Sequence, residues 1–178
     1  MQTKHSAGFI VVGIAGLILS GTALAQTAAA QSQPDTQKAT QKEGLVTSHA
    51  AGPFDVKVVP ADDKFDDPLL ARMTIDKQYH GELEGIGKGQ MLTAGSAAKG
   101  SGAYVAIEKV TGTLQGHTGT FVLQHSGTMT QGTPQLNITV VPDSGTGQLA
   151  GIAGKMNIKI AEGGKHFYDF EYTLPAAQ

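Results

Sequence analysis

The feature that most constrains the fold of this chain is a succession of Thr-, Val- and Ile-rich segments, each closed by glycine, between about residues 71 and 174. Residues 104–112 and 119–127 show the pattern clearly, because both have the composition and spacing of neighbouring antiparallel strands. No stretch of the chain has the apolar period of an amphipathic helix of three turns. The sequence therefore predicts an all-β protein.

Eight segments alternate apolar and polar residues between turn-forming residues, and each is predicted to be a strand. They are residues 51–59, 72–84, 87–94, 103–114, 118–129, 135–141, 147–160 with a break at 151–154, and 165–174. Glycine-rich hairpin turns are expected between them, one of them at residues 85–87. Short connections give a meander, and closing eight strands removes both exposed sheet edges. We therefore expect a single eight-stranded antiparallel β-barrel.

The first 25 residues have the pattern of a secretory signal peptide. Lys4 and His5 precede an apolar run at residues 7–19, and Ala23-Leu24-Ala25 resembles a cleavage site. The run is shorter than the roughly 20 apolar residues of a spanning helix. We predict a periplasmic or secreted protein that is cleaved after Ala25 and keeps no stable membrane anchor.

Residues 26–49 are rich in Gln, Thr, Ala and Ser, and they contain too little apolar surface to offset the entropy of ordering. We predict a disordered linker there and a folded domain at residues 50–175. The formal net charge is −2 and becomes −3 when Lys4 leaves with the signal peptide, so no nucleic-acid partner is expected. The chain has no cysteine, and its stability must come from burial and strand pairing.

Strand alternation assigns side chains to the inside or the outside of the predicted barrel. In the second predicted strand the odd positions carry Met73, Ile75 and Tyr79, so this face must be the interior. The same face carries Lys77. A lysine among apolar neighbours requires a partner of opposite charge, because buried charges are seldom unpaired.

The fourth predicted strand leaves two choices of face. One face carries Tyr104 and Glu108, and the other carries Val105 and Ile107. We favour the first as the interior, because Glu108 would then be available to Lys77. Val105 and Ile107 would face outward, where they could form the contact of a homo-oligomer.

The remaining strands complete a predicted interior that mixes an aromatic wall with a few polar groups. The fifth strand contributes Phe121 and His125, and the third is assigned Gln90 and Leu92. An apolar cavity with a few fixed polar groups is typical of a small-molecule site. The predicted ligand-binding residues are Lys77, Tyr79, Gln90, Tyr104, Glu108, Phe121, His125, Tyr168, Phe170 and Tyr172.

Lys77, Glu108 and His125 are candidate catalytic residues, because buried groups of opposite charge can titrate near neutrality and move protons on a ligand. The alternative interpretation is a satisfied polar network that fixes strand register. His80 and Glu82, with Asp76 or Glu84, have donors suited to a metal ion but lie on the predicted solvent face. We predict no metal and no cofactor.

Several segments between residues 50 and 175 resemble the bacterial DUF3224 family of uncharacterised proteins. They are Lys77-Gln78-Tyr79-His80-Gly81, Gly102-Ala103-Tyr104-Val105-Ala106-Ile107-Glu108, Ser126-Gly127-Thr128-Met129, Val140-Val141-Pro142-Asp143-Ser144-Gly145-Thr146-Gly147 and His166-Phe167-Tyr168-Asp169-Phe170. That family is similar in fold to the allene oxide cyclase and dirigent barrels, whose chains also carry a Gly-Thr-Gly hairpin. The resemblance implies an eight-stranded barrel with a central cavity, and it carries over no activity.

Three functions are compatible with this sequence. The leading hypothesis is an exported barrel that binds a small apolar molecule in its interior without a cofactor. The second is a cofactor-independent isomerase or cyclase that acts on a lipid or phenolic intermediate, by analogy with the related barrels. The third is a structural or oligomeric protein whose barrel is filled by its own side chains.

Overall fold

The computed structural model describes residues 46–62 and 65–175. The predicted signal peptide, residues 1–25, lies outside this part of the chain, as does the predicted linker up to residue 45. Within the described ranges no helix is long and apolar enough to cross a bilayer. A short 3-10 turn at Glu162–Gly164 precedes the last strand. The strands are β1 Thr47–Pro60, β2 Leu70–Tyr79, β3 Leu83–Gly95, β4 Gly102–Leu114, β5 His117–Thr130, β6 Thr133–Val140, β7 Thr146–Gly147, β8 Ala153–Ile160 and β9 His166–Thr173.

Eight of these strands form a closed antiparallel barrel, which confirms the predicted fold. Its order is β1-β2-β3-β4-β5-β6-β8-β9, and the pairing of β9 with β1 closes the ring. The two-residue β7 pairs with β5 beside β6. The seventh predicted strand is therefore interrupted, and its two parts are β7 and β8.

Strand β1 pairs with a different neighbouring strand along each half of its length. Residues Thr47 to Phe54 pair with β9, and residues Phe54 to Pro60 pair with β2. Because of the β9 pairing, the strand begins three residues before the predicted domain boundary at residue 50. The last residues assigned to the linker are thus part of the barrel.

The hairpin between β2 and β3 turns at residues 80–82 and not at the predicted residues 85–87. Gly81 has a φ of 92°, a conformation that glycine adopts without steric cost. The Glu84 side chain accepts a 2.7 Å hydrogen bond from the Gly81 N–H and stabilises this turn. Residues 85–87 lie inside β3 and pair with β4.

The observed turn gives β3 inward and outward faces opposite to the predicted ones. A connection of three residues keeps the odd-numbered positions of β2 and β3 on the same side of the sheet, so Met91 points inward. The interior positions predicted for Gln90 and Leu92 are wrong. Gln90 is exposed and accepts a 2.7 Å hydrogen bond from Arg72 Nη1, while the Leu92 side chain is 49% exposed.

The two ends of the barrel differ in packing. The end that carries the β2–β3 and β4–β5 turns, which we call the closed end, is filled by buried side chains. Phe121 stacks on Phe170 and Phe170 on Tyr172, with ring centroids 5.6 and 5.3 Å apart. Further buried residues at this end are Leu83, Leu114, Leu149 and Ile152.

A hydrogen-bonded network ties the closed end together. Glu82 accepts hydrogen bonds from the Ala51 N–H at 2.7 Å and from Gln115 Nε2 at 2.9 Å. The Tyr172 hydroxyl donates to Gln115 Oε1 at 2.6 Å. The Ala51 amide, followed by Gln115, lowers the pKa of the Glu82 carboxyl. The opposite end, which carries the β3–β4, β5–β6 and β8–β9 connections, is called the mouth.

Candidate functional site

Three charged or titratable side chains meet inside the barrel, as the strand alternation predicted. Lys77 on β2, Glu108 on β4 and His125 on β5 are only 5%, 0% and 2% exposed. Lys77 Nζ donates a 2.7 Å hydrogen bond to Glu108 Oε2, and His125 Nε2 lies 3.1 Å from the same oxygen. Glu108 is therefore the centre of the group.

Tyr79 completes this group, and the four residues Lys77, Tyr79, Glu108 and His125 are called the ion cluster below. The Tyr79 hydroxyl donates to Glu108 Oε1 at 2.8 Å and accepts from Lys77 Nζ at 3.2 Å. The ammonium also lies 5.1 Å from the Phe54 ring centroid and 5.5 Å from that of Tyr79. Cation–π attraction to these rings compensates part of the lost hydration of the ammonium.

The inward glycines of β3 make room for the ion cluster. A Cβ atom at Gly87 would overlap Glu108 Oε1, and one at Gly89 would crowd the Glu108 backbone. The sequence analysis did not predict that these glycines make room for Glu108, because it assigned residues 85–87 to a turn. The available signal was the spacing of Gly85, Gly87 and Gly89, since glycine at every second position leaves one face of a strand without side chains.

The electrostatic environment holds Glu108 in its charged form. Burial raises the pKa of the Glu108 carboxyl, but His125 and Lys77 together outweigh burial and bring that pKa below its ordinary value. Burial, followed by the Glu108 charge and hydrogen bond, raises the pKa of Tyr79 well above its ordinary value. The cluster thus contains a carboxylate and a neutral phenol.

An inner cavity of about 210 Å³ lies between the ion cluster and the mouth, and it opens to solvent where Val58 and Ile160 are exposed. Lys77 and His125 line it, whereas Glu108 lies behind them with no exposed surface. The rest of the wall is largely apolar and comes from most strands of the barrel. The other lining residues are Phe54, Val56, Val58, Ile75, Met91, Tyr104, Leu136, Ile158, Ile160 and His166.

The cavity lies where β6 and β8 separate. These two strands pair only at Ile138 with Met156 and at Thr139 with Lys155. From there toward the mouth they diverge, and Leu136 and Ile158 on the two strands line the cavity. The short β6–β8 pairing is therefore the structural origin of the free volume.

A second, outer pocket of about 420 Å³ lies at the mouth and shares Tyr104 and Leu136 with the inner cavity. The Tyr104 ring covers Gly127 so closely that a Cβ atom at position 127 would overlap it. Burial, followed by the Glu108 charge, raises the pKa of the Tyr104 hydroxyl. Tyr104 and Leu136 therefore lie between the outer pocket and the inner cavity.

The residues predicted to bind ligand occupy different parts of the structure. Lys77, Tyr104 and His125 line the inner cavity, and Tyr79 and Glu108 lie directly behind its polar wall. Gln90 lies on the outside of the barrel. Phe121, Phe170 and Tyr172 fill the closed end, while the Tyr168 hydroxyl accepts a 2.8 Å hydrogen bond from the Leu83 N–H and donates to the His80 carbonyl at 3.1 Å.

Sequence reasoning did not assign faces to β1, and so it missed Phe54 and Val56 in the cavity wall. Their signal is the alternation of Ala50, Gly52, Phe54 and Val56 at even positions. The rim residue His166, whose ring centroid is 5.2 Å from that of Phe54, was also left out of the ligand-binding set.

The residues considered for a metal ion do not converge. His80 lies 3.5 Å from Asp55 and 3.7 Å from Glu84, and all three are substantially exposed. Glu82 is instead hydrogen-bonded to Ala51 and Gln115. Across residues 46–62 and 65–175, no three histidine or carboxylate side chains are arranged to hold a metal ion.

Comparison with known proteins agrees with this architecture. The model of a family described as "Protein of unknown function (DUF3224)" matches residues 50–172. A crystal structure of a protein of unknown function from the DUF3224 family of Shewanella oneidensis MR-1 is 46% identical, with a TM-score of 0.69, over 74% of this chain and 100% of that chain. No curated protein matches the chain. The matching family model and this structural relative together show that the chain belongs to the DUF3224 family.

Proposed function

We propose that this protein binds a small, largely apolar molecule in the inner cavity without a cofactor. The observation that carries the proposal is the cavity itself, about 210 Å³ of space with apolar walls and two polar side chains at its base. A largely apolar pocket with a few fixed polar groups is the common composition of a ligand site. The buried ion cluster gives such a ligand a fixed point of orientation.

The size of the cavity favours binding over a barrel filled by its own side chains. A water molecule takes up about 30 Å³ of liquid, and an apolar cavity of about 150 Å³ in another protein takes up benzene. A space of about 210 Å³ is larger than that cavity. A single ring with a short substituent is therefore the expected scale of the ligand.

A cavity-filling variant tests this function. Ile158 lines the cavity, and Lys159, its neighbour on β8, is exposed on the outside. We expect the full chain to bind toluene in ligand-observed NMR, Ile158→Phe to abolish that signal, and the matched control Lys159→Phe to retain it. Binding that survives Ile158→Phe and is lost in Lys159→Phe would contradict the proposal.

A cofactor-independent isomerase or cyclase is the second function that we propose for testing. The observation that favours it is the presence of two titratable side chains, Lys77 and His125, on the cavity wall. In an enzyme, Lys77→Met and Glu108→Gln should abolish turnover of a bound lipid or phenolic compound. In a binding protein the same substitutions change affinity only, and the bound compound is recovered unchanged by mass spectrometry of the denatured protein.

We also propose that the protein acts outside the cytoplasm, on the basis of the signal-peptide pattern in residues 1–25. Fractionation of producing cells tests this directly.

Self-association is a separate proposal that rests on the outer face of β4, where Val105 and Ile107 are 55% and 53% exposed. Sedimentation of the full chain and of a Val105→Lys variant tests it, since an apolar contact between copies would be weakened by a charge.

A further inference from the structure

We propose that the ligand of the inner cavity carries a neutral hydrogen-bond-accepting oxygen, a carbonyl, which receives hydrogen bonds from Lys77 and His125. This inference rests on the proposed binding function and specifies the chemistry of the ligand. The ion cluster uses some of its N–H donors for hydrogen bonds within the cluster. The inference follows from the donors that remain for a ligand.

Lys77 retains donor capacity on the cavity side. An ammonium group has three N–H donors and no acceptor. Two of these donors are directed to Glu108 Oε2 and to the Tyr79 hydroxyl, at 2.7 and 3.2 Å. The side chain lines the cavity. A ligand group that meets the third N–H of Lys77 must therefore be a hydrogen-bond acceptor.

His125 presents a second donor. Its Nε2 lies 3.1 Å from Glu108 Oε2, where a bare nitrogen lone pair would be repelled by the carboxylate, so we place the ring proton on Nε2. The contact does not have the angles of a hydrogen bond, and Nε2 is a buried atom without a hydrogen-bond partner among the described residues. Buried polar groups are nearly always hydrogen-bonded in folded proteins. Because Nε2 has almost no accessible surface, a ligand acceptor would satisfy it only after the ring rotates toward the cavity.

The charges of the cluster favour a neutral acceptor over a carboxylate. Lys77 and Glu108 form a pair whose charges cancel, and both are almost completely buried. A ligand carboxylate would add an uncompensated negative charge to this environment. A carbonyl oxygen accepts the same hydrogen bonds without that cost. The other polar wall groups, Tyr104 and His166, can each donate or accept and do not select between ligands.

Three compounds of nearly equal size separate these possibilities. Acetophenone has a neutral acceptor oxygen, benzoate has an anionic one, and isopropylbenzene has none. With the full chain near pH 8 we expect acetophenone to bind about tenfold more tightly than isopropylbenzene, and benzoate to bind most weakly. Titration calorimetry or ligand-observed NMR measures the three affinities.

A variant locates the effect at the predicted atom. We expect His125→Phe to reduce the ratio of the acetophenone affinity to the isopropylbenzene affinity about tenfold. Gln124→Phe places the same ring at the exposed neighbouring position of β5 and should change neither affinity. If His125→Phe does not fold, the comparison of the three compounds on the unaltered chain still decides.

The failures of the two proposals are distinguishable. Equal affinity for acetophenone and isopropylbenzene would overturn the carbonyl inference and leave the binding function standing. Tightest binding of benzoate would overturn it in favour of an anionic ligand. Absence of binding for all three compounds would overturn both the inference and the proposed function.

Discussion

Glu108 shows how single residues determine this site. Its carboxylate has no exposed surface and touches an ammonium and a phenol from β2 and an imidazole from β5. Burial of a charge without partners would be unfavourable by several kcal/mol, so each contact is needed. The ion cluster consequently fixes the positions of β2, β4 and β5 relative to one another at the base of the cavity.

Removing one partner of the buried ion pair should be costly. We expect Glu108→Gln to lower the free energy of unfolding by about 3 kcal/mol, because Lys77 keeps a buried charge without its counterion. The double variant Lys77→Met/Glu108→Gln should lose less stability than the sum of the two single variants. Urea unfolding of the four proteins measures this coupling. Additive losses would show that the two side chains do not act as a pair.

The low pKa of Glu108 predicts how stability depends on pH. The carboxyl has an ordinary pKa of 4.5, and in the folded protein the pKa lies below this value. The unfolded chain therefore binds the proton more readily, so the contribution of Glu108 is fully present above about pH 4.5 and is lost as the pH falls through the folded-state pKa. Urea unfolding of the wild type between about pH 7 and pH 3 should show this loss.

The Glu108→Gln variant provides the control for that measurement. Glu82 also has a lowered pKa, but its contribution is the same in both proteins and cancels in their difference. We expect the stability difference between wild type and Glu108→Gln to shrink on acidification. A difference that stays constant down to pH 3 would contradict the assigned direction.

At the scale of elements, β3 can lie against the Glu108 side chain because glycine occupies the positions that face it. We expect Gly87→Ala to destabilise the protein by more than 1 kcal/mol, because the new methyl group would overlap the Glu108 carboxylate. Gly95→Ala in the same strand is the matched control, since its Cβ would meet its nearest neighbour at an ordinary 3.6 Å. Thermal unfolding of both variants is sufficient, and equal melting temperatures would refute the explanation.

The same strand shows which part of the fold could be predicted from the sequence. Alternation placed Lys77 and His125 inside correctly, because each lies in a strand with a clear apolar face. It failed for Gln90, because glycines at residues 85–87 resemble a turn when the neighbouring strand is unknown. Gly87 is explained by Glu108, which is 21 positions away in the chain and adjacent only after β3 and β4 have paired. The sequence around Gly87 alone therefore cannot predict its contact with Glu108.

The junction of β6 and β8 should be the first part of the barrel to open. It has two paired positions, whereas β4 and β5 pair at thirteen. Fewer interstrand hydrogen bonds mean a lower free energy of local opening. Hydrogen exchange should therefore show less protection for amides of β6 and β8 than for those of β4 and β5. Equal protection of the two regions would show that the divergence of β6 from β8 does not persist in solution.

The molecule as a whole combines a filled end with an open one. Aromatic and aliphatic side chains fill the closed end, and the ion cluster separates this packed region from the inner cavity. The packed end supplies stability, so the mouth can retain free volume. Lys77 and His125, at the boundary, give that volume a polar base. We predict that this volume at the mouth accepts a guest molecule.

Crystallography of the full chain under xenon pressure tests that claim most directly, because xenon occupies apolar cavities of this scale. The structure predicts a xenon atom among Phe54, Ile75, Leu136 and Ile158, above the Lys77 ammonium, and its loss in the Ile158→Phe variant. A wild-type structure without xenon there, with side chains filling the space between Lys77 and Leu136, would contradict the account.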